Sequence, residues 1–196
     1  MNQLILASAS ARRAQLLQLA GLSFKVVASH VSEEFDNHIS PEKVVENLAE
    51  RKADAVFQQN QKINSGFILA ADTIVVIENE ILNKPSGYEE GVQMLKKLSG
   101  KTHKVITGVC IIHKSQKEIF SETTFVEFYP LSDSQIDYYI KKYKPFDKAG
   151  GYAIQEWIGV TGIKSIRGDY YNVMGLPVGR IIQKLQQMNF PFPFSI

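Results

Sequence analysis

The sequence predicts an α/β fold with a mixed sheet, and three observations carry that prediction. Short apolar runs alternate with segments whose apolar residues recur at the helical period. Two long strand-like runs, 105–112 and 119–129, follow one another without a helix between them, so at least one strand pair is antiparallel. The chain has 196 residues, 44% hydrophobic and 21% charged, enough for one domain or two lobes around a real core.

Each element has a local cause. Leu4-Ile5-Leu6-Ala7 reads as a short buried strand, and Ser8-Ala9-Ser10 turns it into a helix over about 11–20, with Gly21 as its C-cap. A second strand spans about 23–28. Ser40 and Pro41 supply an N-cap and a first-turn proline for a helix to about Gln59. The run Phe67–Ile77 is the strongest strand, and Glu78-Asn79-Glu80 turns it into Ile81-Leu82. Ser86 with Glu89 forms a capping box for a helix ending near Leu98, and Ser132 with Gln135 does the same for a helix to about Lys142. The stretch 145–155 is a glycine-containing loop leading into two short strands, and Pro177 starts the last helix. The tail Phe190-Pro191-Phe192-Pro193-Phe194 cannot be helical, because alternating prolines remove backbone donors; it straps apolar rings onto the body.

Charged groups in the wrong places carry the functional reading. Asp72 interrupts the apolar run 67–77, where an isolated carboxylate costs several kcal/mol unless it is paired or metal-bound. Lys52 falls in the apolar stripe formed by Val45, Leu48, Ala49 and Val56, so it must either snorkel out or meet an anion. Ser8-Ala9-Ser10-Ala11-Arg12-Arg13 places two hydroxyls and two guanidiniums at a helix start. Cations are unfavourable there unless an anion is bound, and the same groups converge well on phosphate. The blander reading is a capping Ser10 with solvated arginines.

Lys84-Pro85 holds another ammonium beside a rigid turn. Asp147 and Lys148 either face a ligand or pair with each other. Glu33 and Glu34 are acidic loop residues that could join Asp72 around magnesium or manganese, both of which prefer oxygen donors.

Other classes lose support. Net charge of +2 gives too little field for nucleic acid or an anionic membrane. The single cysteine, Cys110, lies in an apolar run and reads as a small core hydrophobe of a reducing compartment. No apolar stretch reaches the length of a membrane span and none has the layout of a signal peptide, so a cytoplasmic protein is expected. The four histidines lack zinc spacing, and neither a Walker loop nor a GxGxxG fingerprint occurs.

Taken in order, several segments resemble the Maf family of nucleoside triphosphate pyrophosphatases. They are Ser8–Arg13, Ala49-x-x-Lys52-Ala53, Ala71-Asp72-Thr73, Lys84-Pro85 and Leu98-Ser99-Gly100, followed by Thr102-His103-x-Val105-x-Thr107-Gly108, Asp147-Lys148-Ala149-Gly150 with Gln155, and Tyr171–Pro177. The resemblance covers nearly the whole chain as one domain over 1–196. It implies a strongly curved mixed sheet flanked by helices, in two lobes around a central cleft, and a chain that is often a homodimer. It also implies hydrolysis of a nucleoside triphosphate to the monophosphate and pyrophosphate with a divalent metal. By position, Asp72 matches the proton acceptor and a metal ligand, and Ser8, Arg13, Lys52 and Lys84 match the triphosphate cradle. Glu33 matches an acid near the metal.

Arg12, Thr73 and Gln155 resemble the branch acting on dTTP and UTP, whereas the branch acting on 7-methyl-GTP resembles Trp, Gln and Glu at those places. Ala11, where the family usually has proline, loosens the helix start without removing a functional group. A nucleotide-binding regulator of septum formation is the alternative from another class; it would not need the water-activating carboxylate that Asp72 retains.

Overall fold

A computed structural model describes residues 3–36, 38–59 and 66–193. Strand β1 (Leu4–Leu6) leads to helix α1 (Ala11–Leu19), β2 (Phe24–Val26) and α2 (Pro41–Gln59). Then come β3 (Phe67–Ile77), β4 (Glu80–Leu82), α3 (Tyr88–Leu98), β5 (Thr102–His113) and β6 (Gln116–Phe128). Helices α4 (Asp133–Tyr143) and α5 (Trp157–Gly162), strand β7 (Ile163–Arg167) and helices α6 (Tyr170–Val173) and α7 (Val178–Gln187) complete the chain.

The strands form a seven-stranded mixed sheet in the order β2-β1-β3-β5-β6-β7, with β4 paired to β3. Strand β1 is parallel to both β2 and β3, whereas β4 on β3 and β7 on β6 are antiparallel. Lys114 and Ser115 alone join β5 to its neighbour β6, a connection too short for anything but an antiparallel hairpin.

The chain divides into two compact units. The first holds Met1–Asp72, Thr107–Glu122 and Gly175–Ile196; the second holds Thr73–Ile106 and Thr123–Met174. In the first unit, α2 lies on the sheet through small residues: Ala49 and Ala53 pack with Ile5, Ala7, Ile68, Ala70 and Cys110. The approach is closest at Gly108, where an added Cβ would lie 2.3 Å from the carbonyl of Val45. Only glycine permits that contact. In the second unit, α3 and α4 pack together, and the buried ring of Tyr152 meets His103 and Phe128 edge-on.

Several local expectations hold to the residue. The apolar run forms β3 from Phe67 to Ile77, and Pro41 opens α2 with Ser40 Oγ accepting from the Lys43 amide. Ser132 and Gln135 close a reciprocal capping box on α4. Phe190 is buried and meets Phe67 edge-on at 5.0 Å, the strap expected of the tail; Phe194 lies outside the described residues. Cys110 is fully buried, and burial pushes its thiol up to about 12, as befits a core residue.

Other details differ. The C-cap of α1 is Ala20, with Gly21 one step beyond in a left-handed conformation. No Ser86–Glu89 box forms, because Gly87 takes the cap position of α3. Ser86 instead gives both its amide and hydroxyl hydrogens to Glu90. The expected pair of short strands after residue 151 is one strand, β7, preceded by the short helix α5. The amide of Ala153 goes to the Tyr139 hydroxyl instead of a neighbouring strand, and the Glu156 amide folds back on the Ala153 carbonyl. Among the described residues no helix is long and apolar enough to cross a membrane.

Candidate active site

The first unit assembles Ser8, Arg12, Arg13, Glu33, Lys52 and Asp72. Asp72 is its last residue on β3 and is 8% exposed. Lys52 lies on the buried face of α2 and is also 8% exposed, so it has not snorkelled to solvent. It donates to Asp72 Oδ1 at 2.5 Å and to Glu33 Oε1 at 2.8 Å. Each thereby answers the burial problem posed by the other, a charge-assisted pair in a dry setting. The close seating of α2 at Gly108 is what lets the ammonium reach β3.

Ser8 follows β1 and is buried. Its hydroxyl accepts from the Ser10 amide at 3.2 Å and from Arg13 Nη1 at 3.3 Å. Ser10 stands at the N-cap of α1, yet its side chain makes no capping bond, so the simple capping account of Ser8-Ala9-Ser10 does not hold. Arg13 Nε donates to the Gly175 carbonyl at 2.8 Å. Burial pulls the Arg13 guanidinium below its ordinary range, offset in part by the carboxylate of Asp72; the neighbouring Arg12 lowers it further and Glu33 raises it. That Asp72 and Glu33 both act on Arg13 places two cations and two carboxylates in one electrostatic neighbourhood.

The second unit begins at Thr73, the residue after Asp72, and carries Lys84 and Gln155. Thr73 is half-buried; Lys84 and Gln155 are exposed. Pro85 is buried, and Gly150 donates its amide to the carbonyl of Asn83 at 3.1 Å, so the backbone around Lys84 is held on both sides. Lys148 pairs with Asp147 at 2.6 Å and approaches Glu156 at 3.6 Å, so the two neighbours do meet each other. Glu156 also accepts from the buried Tyr139 hydroxyl.

Two carboxylates, Asp72 and Glu33, meet at one ammonium, and among the described residues no three His, Cys, Asp or Glu side chains gather as a metal cage. That donor set fits magnesium better than a metal that needs a full protein shell. Magnesium is commonly held by one or two carboxylates, with water and phosphate oxygens filling the rest.

Sequence reasoning did not find Gly108, Gly175, Tyr139 or Glu156. Both glycines stand inside the family-like segments, but their use depends on which backbone or side chain approaches them. Tyr139 and Glu156 carry no local signal.

Comparisons with known proteins bear on the family. A family model described as Maf-like protein matches residues 3–188. A dTTP/UTP pyrophosphatase of Cytophaga hutchinsonii is 46% identical over 97% of this chain and 86% of its own length. One from Halalkalibacterium halodurans is 46% identical over 99% of this chain and 100% of its own. A third, from Porphyromonas gingivalis, is 43% identical over 94% and 93%. Among solved structures, the Staphylococcus aureus Ham1 protein aligns with 65% of this chain and 72% of its own at 15% identity and a TM-score of 0.43, a likeness too loose to bear on mechanism. The matched family model spans nearly the whole chain, and the chain belongs to the Maf-like protein family.

Proposed function

We propose that the chain is a nucleoside triphosphate pyrophosphatase of the dTTP/UTP type, working as one catalytic domain in the cytoplasm. The observation that carries the reading is the buried Lys52–Asp72 pair at 2.5 Å, on a chain whose full-length relatives are dTTP/UTP pyrophosphatases. A buried carboxylate beside cations is costly for folding alone and useful for activating water beside a phosphate chain.

In this reading Ser8, Arg13, Lys52 and Lys84 bind the triphosphate, and Lys52 exchanges carboxylate for phosphate as its partner. The Asp72 carboxylate takes a proton from water as the water oxygen bonds to the α-phosphorus. The bond from that phosphorus to the bridging oxygen breaks, and pyrophosphate leaves with the bond's electrons. Asp72 and Glu33 would hold a divalent cation such as magnesium or manganese, which when bound neutralises phosphate charge. Positioning and charge neutralisation do most of the work in such chemistry. Arg12, Thr73 and Gln155 set the preference for a pyrimidine, the Gln amide offering hydrogen bonds in place of the aromatic stacking a methylated purine would favour.

The test is pyrophosphate release from a panel of nucleoside triphosphates with magnesium or manganese. Turnover of dTTP and UTP above the purine nucleotides supports the reading. Tight nucleotide binding without turnover would favour the regulatory alternative. Arg12→Trp with Thr73→Gln and Gln155→Glu should move preference toward 7-methyl-GTP; a folded triple variant that keeps its pyrimidine preference would overturn the specificity assignment.

A further inference from the structure

The segment Tyr171–Pro177 stands out in the sequence, yet it supplies no side chain to the proposed chemistry. We propose that Gly175 is a positioning residue whose backbone carbonyl aims the Arg13 guanidinium at the phosphate chain before any ligand arrives. The inference rests on the proposed triphosphate-binding role of Arg13.

Two contacts define the geometry. Arg13 Nε donates to the Gly175 oxygen at 2.8 Å, and Nη1 donates to Ser8 Oγ at 3.3 Å. Arg13 and Gly175 are 162 residues apart, so the contact is a product of the fold and not of helix α1. A guanidinium is a rigid planar fork, and acceptors at two of its nitrogens fix both its plane and its direction. Removing them gives Arg13 more rotamer freedom to lose on binding, which weakens affinity.

The carbonyl is itself aimed by an unusual backbone. Gly175 has φ 110, a region glycine enters freely and residues with a Cβ avoid. Leu176 just after it is fully buried and Pro177 caps α7, so the oxygen is anchored by core and helix together. A glycine is thus required where the oxygen must turn toward Arg13.

The burial that lowers the Arg13 guanidinium's affinity for its proton agrees with this picture, since a cation drawn out of water gains from a neutral acceptor on one side and an anion on another. Lysine at position 13 would keep the charge but present no Nε–H in a fixed plane, so the aiming contact would be gone.

The experiment is a double-mutant cycle of Gly175→Ala and Arg13→Lys on the full chain, read by calorimetric binding of inorganic tripolyphosphate, with unfolding temperature measured alongside. Gly175→Ala should weaken binding about tenfold when position 13 is Arg and less than about twofold when it is Lys. With dTTP the first effect should fall mainly on KM. Equal weakening in both backgrounds would overturn the proposal and make Gly175 a folding residue only.

If Gly175→Ala does not fold, nitrogen-15 NMR of the unaltered protein decides. A slowly exchanging Arg13 Nε proton, with and without tripolyphosphate, supports the contact; free exchange overturns it. A wild type that binds tripolyphosphate with this coupling but never hydrolyses dTTP or UTP breaks the proposed function and leaves the role of Gly175 standing.

Discussion

Two lysines in the first unit each hold a pair of carboxylates, and they teach opposite lessons. Lys117 lies 2.8 Å from Glu50 and 2.9 Å from Asp54, with its side chain 33% exposed and its partners 35% and 38%. Lys52 lies 2.8 Å from Glu33 and 2.5 Å from Asp72, with the Lys52 and Asp72 side chains only 10% and 12% exposed. The distances are alike; the surroundings are not. Around Lys117 water screens the attraction, and Glu50 and Asp54 stand one turn apart on α2, an arrangement typical of a solvated helix face. At Lys52 the charges have left water, and the ion pair stands in for the lost hydration. Burial, more than the count of opposite charges, separates a candidate catalytic group from surface decoration.

The largest expected effect is on chemistry. Asp72→Asn should cut turnover by about 10²–10⁴ in pyrophosphate release while the protein stays folded, since the Asn oxygen and Glu33 can still accept from Lys52. Full activity in that variant would remove Asp72 from the mechanism.

Next in size is stability. From the sequence alone, Lys52→Ala looks harmless, because it takes a cation off an apolar helix face. With Asp72 as its partner the expectation reverses: a buried carboxylate stripped of its hydrogen-bonded ammonium costs roughly 3–5 kcal/mol, visible in chemical denaturation. Lys52→Met combined with Asp72→Asn should recover much of that loss and stay inactive. A Lys52→Ala protein as stable as wild type would mean that Asp72 finds its compensation elsewhere.

His103 sharpens the comparison as a buried titratable group with a neutral partner. It is 2% exposed, bonded to the Tyr152 hydroxyl at 2.7 Å, and burial lowers its pKa from 6.5 to about 3. The folded state therefore refuses a proton that the unfolded chain accepts below 6.5. The stability tied to neutral His103 is present above that pH and is lost as pH falls from 6.5 toward 3, by at most about 1.4 kcal/mol per pH unit. Unfolding measured from pH 7 to 4 should show this slope, and His103→Phe should flatten it.

The smallest effect belongs to Lys117. Burial lowers its pKa, but the hydrogen bonds to Glu50 and Asp54 outweigh burial and hold it above the usual lysine range. Its contribution is present below the ordinary lysine pKa and is lost only as pH rises beyond it. Lys117→Ala should change stability by no more than about 1 kcal/mol at neutral pH. A loss as large as that of Lys52→Ala would erase the contrast between the two clusters.

Much of the fold is legible because its signals are local. An unbroken apolar run bounded by turn residues produces β3 from Phe67 to Ile77, and Ser-Pro at 40–41 starts α2, since neither needs information from elsewhere in the chain. One expectation fails because a distant group claims a backbone atom. The Tyr139 hydroxyl takes the Ala153 amide across 14 residues, so the stretch that reads as a strand does not join the sheet. In the site, the misplaced charges Asp72 and Lys52 are visible as violations of pattern, but nothing in the pattern says that they meet each other.

By itself, the sequence determined the α/β alternation, the position of the buried carboxylate, the lysine on the apolar helix face and membership in the family. All of these depend on periodicity, capping or ordered motifs read along the chain. Only the tertiary structure decided that Lys52 spans Asp72 and Glu33, that α2 approaches the sheet closely at Gly108, and that the Gly175 carbonyl accepts from Arg13. Those contacts join residues far apart in sequence, and side-chain packing, which has no signature within a short window, selects them.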